Sequence, residues 1–148
     1  AQLHDKLMVQ GADLLLQTVQ LIEENKAPRE KQDDNLSCYA KMLNNDNCRI
    51  DWTKSAQDIH NLVRGLNSWP VAYTTLNNKK FKIWQTRVTT GTGNPGQIIK
   101  LTKQSIIVAT GEGAIELLEI QPPNKAKMPA SSYINGHKQE LENNVSFI

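Results

Sequence analysis

The chain has 148 residues, a net charge of +2, three histidines and two cysteines. This length suits one well-packed core, or one domain with an appendage. No run approaches the roughly eighteen apolar residues that a membrane helix needs, and no segment has the pattern of a secretory signal. Two cysteines are too few for a disulfide framework, so we expect ordinary thiols in a reducing cytoplasm.

The charges are unevenly distributed along the chain. Residues 1–40 hold four bases and seven acids, a balance of −3, whereas residues 41–148 hold thirteen bases and eight acids, a balance of +5. A basic segment points to a polyanionic partner. The alternative is a solvated lysine surface, which composition alone favours.

The first predicted element is a helix over residues 1–26. Apolar residues recur at three- and four-residue steps from Leu3 to Ile22, and Asn25 and Pro28 end the pattern. Such an apolar stripe has to be buried against another surface. Because the chain opens at Ala1 directly into this helix, we expect a fragment of a longer protein whose missing domain covers the stripe. Residues 27–47 are polar and contain a proline, which predicts a linker.

A second helix is predicted to begin after Ser55. The Ser55 hydroxyl can accept a hydrogen bond from the backbone three residues on, where Asp58 occupies the acidic position of a capping box. The pair Trp69-Pro70 ends the helix, because a residue before proline is disfavoured in the helical region. The apolar face of this helix is formed by Ala56, Ile59, Val63 and Leu66.

Beyond residue 70 the pattern becomes that of short strands separated by turn residues. The predicted strands are 71–76, 80–89, 97–101, 105–110 and 114–120. A short helix is expected to begin near Ala130. The predicted fold class is therefore mainly β, with a five-stranded OB-like antiparallel barrel over residues 48–148 and one packed helix.

Structural roles are predicted for the tryptophans and for His60. Trp52 and Trp69 are predicted to lie in the core with the indole N–H satisfied locally, and Asp51 to orient the turn before the second helix. Trp84 lies in the basic strand KFKIWQTR, which fits a core position or a base-stacking position, with the core position favoured. His60 is interpreted as a helix-packing or surface histidine.

Several segments in register resemble a known family. The stretches RIDWTKSAQDIHNLVRGLNSWPVAYT, KIWQTRV, PGQI, IVATGEGAIELLEIQP and KAKMPA follow the order and spacing of the C-terminal domain of methionyl-tRNA formyltransferases. The upstream part, from LHDKLMVQG to KQDD, is similar to the last helix of that family's catalytic domain and the linker beyond it.

This resemblance implies a two-domain, monomeric enzyme of translation initiation. A Rossmann-like N-terminal domain transfers a formyl group from 10-formyltetrahydrofolate, its co-substrate, to the methionine amino group of initiator tRNA, while the C-terminal barrel helps to hold the tRNA. The family's catalytic asparagine, histidine and aspartate belong to the N-terminal domain, and no position here matches them. The chain is therefore expected to carry no catalytic residue, cofactor or metal of its own and to be inactive alone.

Basic side chains are the predicted contacts for the tRNA backbone, because a compact cation suits phosphate and folded RNA is recognised largely by shape. The predicted tRNA-binding residues are Lys41, Arg49, Lys79, Lys80, Lys82, Arg87, Lys125 and Lys127. Two alternatives stay open. The barrel could belong to a related formyl-folate-using enzyme, a sugar-nucleotide formyltransferase or a formyl-folate hydrolase, or it could be a structural module that braces the catalytic domain.

Overall fold

The structure is a computed structural model that describes residues 2–142 and 146–148. The chain forms two compact units, Ala1–Met42 and Leu43–Ile148.

The first unit contains helix α1, Gln2–Glu23. Asn25 ends it with a left-handed backbone (φ 60°), and the Lys26 N–H donates to the Leu21 carbonyl at 2.8 Å, as expected where a helix closes on an αL residue. None of the described residues of α1 is buried, and its apolar side chains are exposed. The polar segment that follows contains one short 3₁₀ turn, Asp34–Leu36.

In the second unit, a short 3₁₀ turn, Asp46–Cys48, precedes helix α2, Ala56–Leu66. The Ser55 hydroxyl accepts the Asp58 backbone N–H at 3.1 Å and donates to the Asp58 carboxylate at 2.7 Å. The predicted cap is therefore confirmed, with the acid bonded to the cap hydroxyl. The four residues predicted to form the apolar face of this helix are buried.

All five predicted strands are present, and a sixth follows them. The elements are β1 Ala72–Leu76, β2 Lys79–Thr89, β3 Ile98–Leu101, β4 Ile106–Ala109, β5 Ala114–Gln121, β6 Met128–Pro129 and helix α3 Ala130–Glu142. The pairing is antiparallel, in the order β1-β2-β5-β4-β3, with β6 beside β5. Asn77 and Asn78 both have positive φ (50° and 60°), which suits the tight turn between β1 and β2. The two-residue strand β6 is too short to leave a periodic signal, so the sequence does not predict it.

The ends of this sheet are joined by the segment Ser146–Ile148. The Phe147 N–H donates to the Gly96 carbonyl at 2.8 Å, just before β3, while Ile148 exchanges two backbone hydrogen bonds with Thr75 on β1, at 2.9 and 3.0 Å. The fold is thus a mainly β, barrel-like domain with a packed helix, as the sequence predicts, and its two end strands are bridged by this segment.

The tryptophans before and after α2 have opposite environments. Trp52 is buried, and its Nε1 donates to the Thr74 hydroxyl at 2.9 Å, which confirms the predicted core position. The predicted core position of Trp69 is wrong, because 81% of its surface is exposed. The chain turns between α2 and β1 so that Val71 is buried instead, with its N–H donating to the Leu66 carbonyl at 3.0 Å.

Candidate nucleic-acid interface

A row of four residues crosses the outer surface of the barrel. Arg49 pairs with Tyr73 in an isolated bridge, Tyr73 lies opposite Lys82, and Lys82 lies opposite Gln121. Directly opposite residues of neighbouring strands project to the same face of a sheet. The alternate residues along β2, such as Ile83, are buried, so this row lies on the solvent side.

Lysines lie over aromatic rings on the same surface. The Lys80 Nζ is 3.8 Å from the centroid of the Tyr73 ring, and the Lys127 Nζ is 5.3 Å from the centroid of the Trp84 ring. Both distances are within the range of cation–π attraction. Lys127 also donates to the Glu119 carboxylate at 2.7 Å.

Gln121 makes hydrogen bonds to both Trp84 and the loop after β5. The Trp84 Nε1 donates to the Gln121 side-chain oxygen at 3.2 Å, and the Gln121 side-chain nitrogen donates to the Lys125 carbonyl at 3.0 Å. Trp84 lies at an irregularity in the β2–β5 register, between Ile83 and Gln85, where a bulge can re-aim a side chain. Trp84 is half-buried, so it is neither a core residue, which the sequence favours, nor a fully open ring.

We call this surface the basic face. Its residues are Arg49, Tyr73, Lys80, Lys82, Trp84, Gln121, Lys125 and Lys127.

Five of the eight predicted tRNA-binding residues lie on the basic face, and the remaining three are Lys79, Arg87 and Lys41. Lys79 lies opposite the buried Leu76. Its side chain therefore projects to the other side of the sheet from those of Lys80 and Lys82. Arg87 is in an ion pair with Glu116, with a distance of 2.8 Å from its Nε. The third, Lys41, belongs to the first unit. Contact with RNA stays a prediction for all eight residues.

Arg49 has acidic neighbours that set it apart from the lysines of the basic face. It lines a pocket together with Asp46 and Asp51. Carboxylates close to a cation oppose the approach of a phosphate, so we expect Arg49 to contribute less than Lys80 or Lys82.

Tyr73 and Gln121 are not predicted from the sequence, because the prediction rests on charges. The available signal for Tyr73 is strand alternation, since it lies between Ala72 and Thr74, which are both buried. Gln121 has no comparable signal, because its role depends on contacts with Trp84 and Lys125.

The remaining polar residues have structural roles. The His60 ring nitrogen Nδ1 lies 2.9 Å from the Thr86 hydroxyl, which confirms the predicted helix packing; burial, and secondly the charge of Arg64, lower the pKa of His60. Asp51 accepts hydrogen bonds from the Thr53 hydroxyl (2.6 Å) and backbone N–H (3.0 Å), and these bonds lower the pKa of Asp51. Its predicted role in orienting the turn is confirmed.

Neither a metal cluster nor a membrane-spanning helix occurs in the described part of the chain. Residues 2–142 and 146–148 contain no group of three or more histidine, cysteine, aspartate or glutamate side chains placed to hold a metal ion. Across the same residues, no helix has the length and apolar character needed to cross a bilayer.

Comparison with known proteins identifies the family. Residues 42–138 match the family described as "Formyl transferase, C-terminal domain". The chain belongs to this family. It is similar to methionyl-tRNA formyltransferases of Clostridium perfringens (45% identical over 142 residues, 95% of this chain and 46% of the relative) and Streptococcus mutans (44% over 138 residues, 93% and 44%). The resemblance to the C-terminal part of these enzymes is thereby confirmed.

The chain spans less than half the length of these curated relatives. Among solved structures, it is similar to variants of HypX from Aquifex aeolicus, with a TM-score of 0.65 and 14% identity in one case, over 86% of this chain and 23% of that one. At this identity the similarity concerns the fold alone.

Proposed function

We propose that this chain is the C-terminal, tRNA-positioning part of a monomeric, cytoplasmic methionyl-tRNA formyltransferase. In this proposal, a Rossmann-like domain of the same chain transfers the formyl group of 10-formyltetrahydrofolate to the methionine amino group of initiator tRNA. The part described here has no catalytic role and binds the tRNA backbone. The observation that carries the proposal is the basic face, where five predicted RNA contacts lie on one surface.

The charge on this face is largely available to a ligand. Among the predicted contacts in the described part of the chain, Arg87 and Lys127 take part in ion pairs, whereas Lys80, Lys82 and Lys125 take part in none. Phosphate binding by lysine is insensitive to sequence, so these residues suit a role in positioning the tRNA without selecting it.

The relatives favour tRNA over the alternative substrates. The relatives from Clostridium perfringens and Staphylococcus epidermidis are both 45% identical to this chain, and both carry the name methionyl-tRNA formyltransferase. This supports the proposed substrate over a sugar nucleotide or formyl-folate alone. A purely structural barrel would not need the basic face.

The surface of α1 supports the presence of a second domain. Its apolar side chains include Leu7, Leu14 and Ile22, each more than half exposed. An apolar stripe of this length is stabilised when another element covers it. In the proposal, α1 is the last helix of the catalytic domain and is covered there.

Salt-dependent titration of the full-length enzyme with tRNA tests the proposal. The variant Lys80→Gln/Lys82→Gln should bind more weakly, and the slope of log affinity against log salt should decrease by about two, roughly one for each phosphate that is no longer neutralised. The matched control is Lys100→Gln/Lys103→Gln, which removes two exposed lysines from β3 and the turn after it. That control should leave the slope unchanged.

Two results would contradict the proposal. One is wild-type binding that does not change between low and moderate salt. The other is an equal change of slope in both double variants, because the basic face would then have no special role.

A further inference from the structure

Trp69 is a large exposed aromatic residue on a fixed loop. Its surface is 81% exposed, whereas the residues two positions before and two positions after it make hydrogen bonds to the rest of the domain. The Asn67 side chain donates to the Trp84 carbonyl at 2.8 Å, and the Val71 N–H donates to the Leu66 carbonyl at 3.0 Å. The ring is therefore presented to solvent by an anchored backbone.

The loop of Trp69 adjoins the basic face. Asn67 donates to the backbone carbonyl of Trp84, a residue of that face, and Trp69 lies two residues further on, a span of at most about 7 Å along the chain. The exposed Arg64 lies in the last turn of α2, just before this loop.

The sequence around Trp69 has one sign of charge. No acidic residue occurs between Asp58 and Glu112, while the same stretch contains seven lysines and arginines. Glu116 and Glu119 on the neighbouring strand β5 pair with Arg87 and Lys127. The stretch itself adds only positive charge, which suits a polyanion better than an ordinary protein surface of mixed charge.

An indole this exposed can accept a flat partner on its ring. In the described part of the chain, Trp69 has no hydrogen-bond partner and no aromatic neighbour. Nucleobases stack on such rings with little regard to sequence, contributing about 1–3 kcal/mol per base. A base inside a duplex has both faces covered by its neighbours, so the fitting partner is an unpaired base.

We propose that Trp69 is a stacking platform for an unpaired nucleobase of the bound RNA, beside the phosphate contacts of the basic face. This inference rests on the proposed function and adds a second kind of contact to it. The lysines hold the backbone, and the indole fixes one exposed base, which sets the register of the RNA on the barrel.

The test compares Trp69→Phe with Trp69→Leu in the full-length enzyme. Both replacements are apolar and exposed, but phenylalanine keeps a π face and leucine does not. Titration with tRNA at several salt concentrations should show a loss of affinity of roughly 5- to 150-fold for Trp69→Leu and a much smaller loss for Trp69→Phe. The salt slope should stay as in the wild type for both, because stacking releases no counterions.

Competition with short RNAs gives a second readout. Single-stranded oligoadenylate should compete with tRNA for the wild type and lose most of that ability with Trp69→Leu. A blunt RNA duplex should compete equally well with both proteins. Thermal unfolding of each variant, measured by circular dichroism, should match the wild type because the residue is exposed.

The outcomes separate this inference from the proposed function. Wild-type affinity in Trp69→Leu, together with a steep salt slope, overturns the stacking site and leaves the proposed function intact. Equal losses in both variants also overturn it and indicate apolar docking, such as contact with the catalytic domain. If the wild type binds tRNA without salt dependence, the proposed function itself fails.

Discussion

At the scale of single residues, burial decides what each ionisable or aromatic side chain does. His60, in α2, is half-buried against β2, with its ring beside the Thr86 hydroxyl. Burial disfavours the charged imidazolium, and the nearby Arg64 adds to this, so both lower the pKa of His60 from its ordinary value of 6.5. Trp52 illustrates the same point, since its burial is possible because Thr74 accepts the indole N–H.

The lowered pKa of His60 predicts a pH-dependent stability. As pH falls below about 6.5, the unfolded chain takes up the proton before the folded chain does. The contribution of neutral His60 to the free energy of unfolding is thus fully present above that pH. It is lost as pH falls through the lower pKa that His60 has in the folded state. We expect the free energy of unfolding, from urea denaturation, to decrease less between about pH 7 and about pH 5 in His60→Gln than in the wild type. Parallel decreases in the two proteins would contradict this account.

At the scale of elements, the start of α2 is fixed by local and distant contacts together. Ser55 caps the helix, and the Ala56 N–H donates to the Glu112 carbonyl at 2.9 Å. The turn at 111–113 approaches so closely that a Cβ added at Gly111 would overlap the Thr53 carbonyl oxygen. A glycine is therefore needed at position 111, just before β5 begins and next to the helix start.

Removal of the cap should cost measurable stability. We expect Ser55→Ala to lower the free energy of unfolding by about 1 kcal/mol, because one N-terminal N–H of the helix loses its side-chain acceptor. Ser132→Ala is the matched control, since Ser132 is an exposed serine within α3 and alanine is a good helix former. Equal effects of the two substitutions in urea denaturation would show that the hydroxyl of Ser55 has no capping role.

At the scale of the whole second unit, the segment Ser146–Ile148 holds the barrel-like sheet together. Phe147 is buried and stacks on Trp52, with ring centroids 5.7 Å apart, and it meets the edge of Phe81 at 6.1 Å. The Ile148 carbonyl accepts hydrogen bonds from the hydroxyls of Thr74 and Thr75. The segment therefore combines backbone pairing with an aromatic cluster inside the barrel.

Phe147→Ala should strongly destabilise this unit. Removing a buried phenylalanine leaves a cavity and deprives the surrounding rings of their packing, which costs about 3–5 kcal/mol, a large share of a typical domain's stability. The neighbouring control Ile148→Ala removes a side chain that is 65% exposed and should change the free energy of unfolding by less than about 0.5 kcal/mol. If the two variants unfold at the same urea concentration, burial of Phe147 is not what holds the sheet ends together.

Much of the fold follows from short-range patterns in the sequence. The 3.6-residue period of α2, its Ser55 cap, the alternation along β1 and β2 and the Asn77-Asn78 turn all act between residues that are close in the chain. The elements that these signals specify are present. The family resemblance rests on the same stretches, and it too can be found without coordinates.

The arrangement of the candidate site depends on residues that are distant in the sequence. Composition and strand patterns identify the lysines, but only the register across β1, β2 and β5 sorts Lys80 and Lys82 onto one face and places Lys79 at the opposite parity. The ion pair of Arg87 with Glu116 spans 29 residues, and the bond from Trp84 to Gln121 spans 37.

The exposure of Trp69 likewise depends on the path of the chain. A tryptophan beside a helix end is usually buried, whereas the route into β1 buries Val71 instead. The sequence by itself determined the longer elements and the family, since these depend on local periodicity and turn chemistry. The tertiary structure alone decided which charges face the same surface and which tryptophan is exposed, since these depend on the pairing of distant strands.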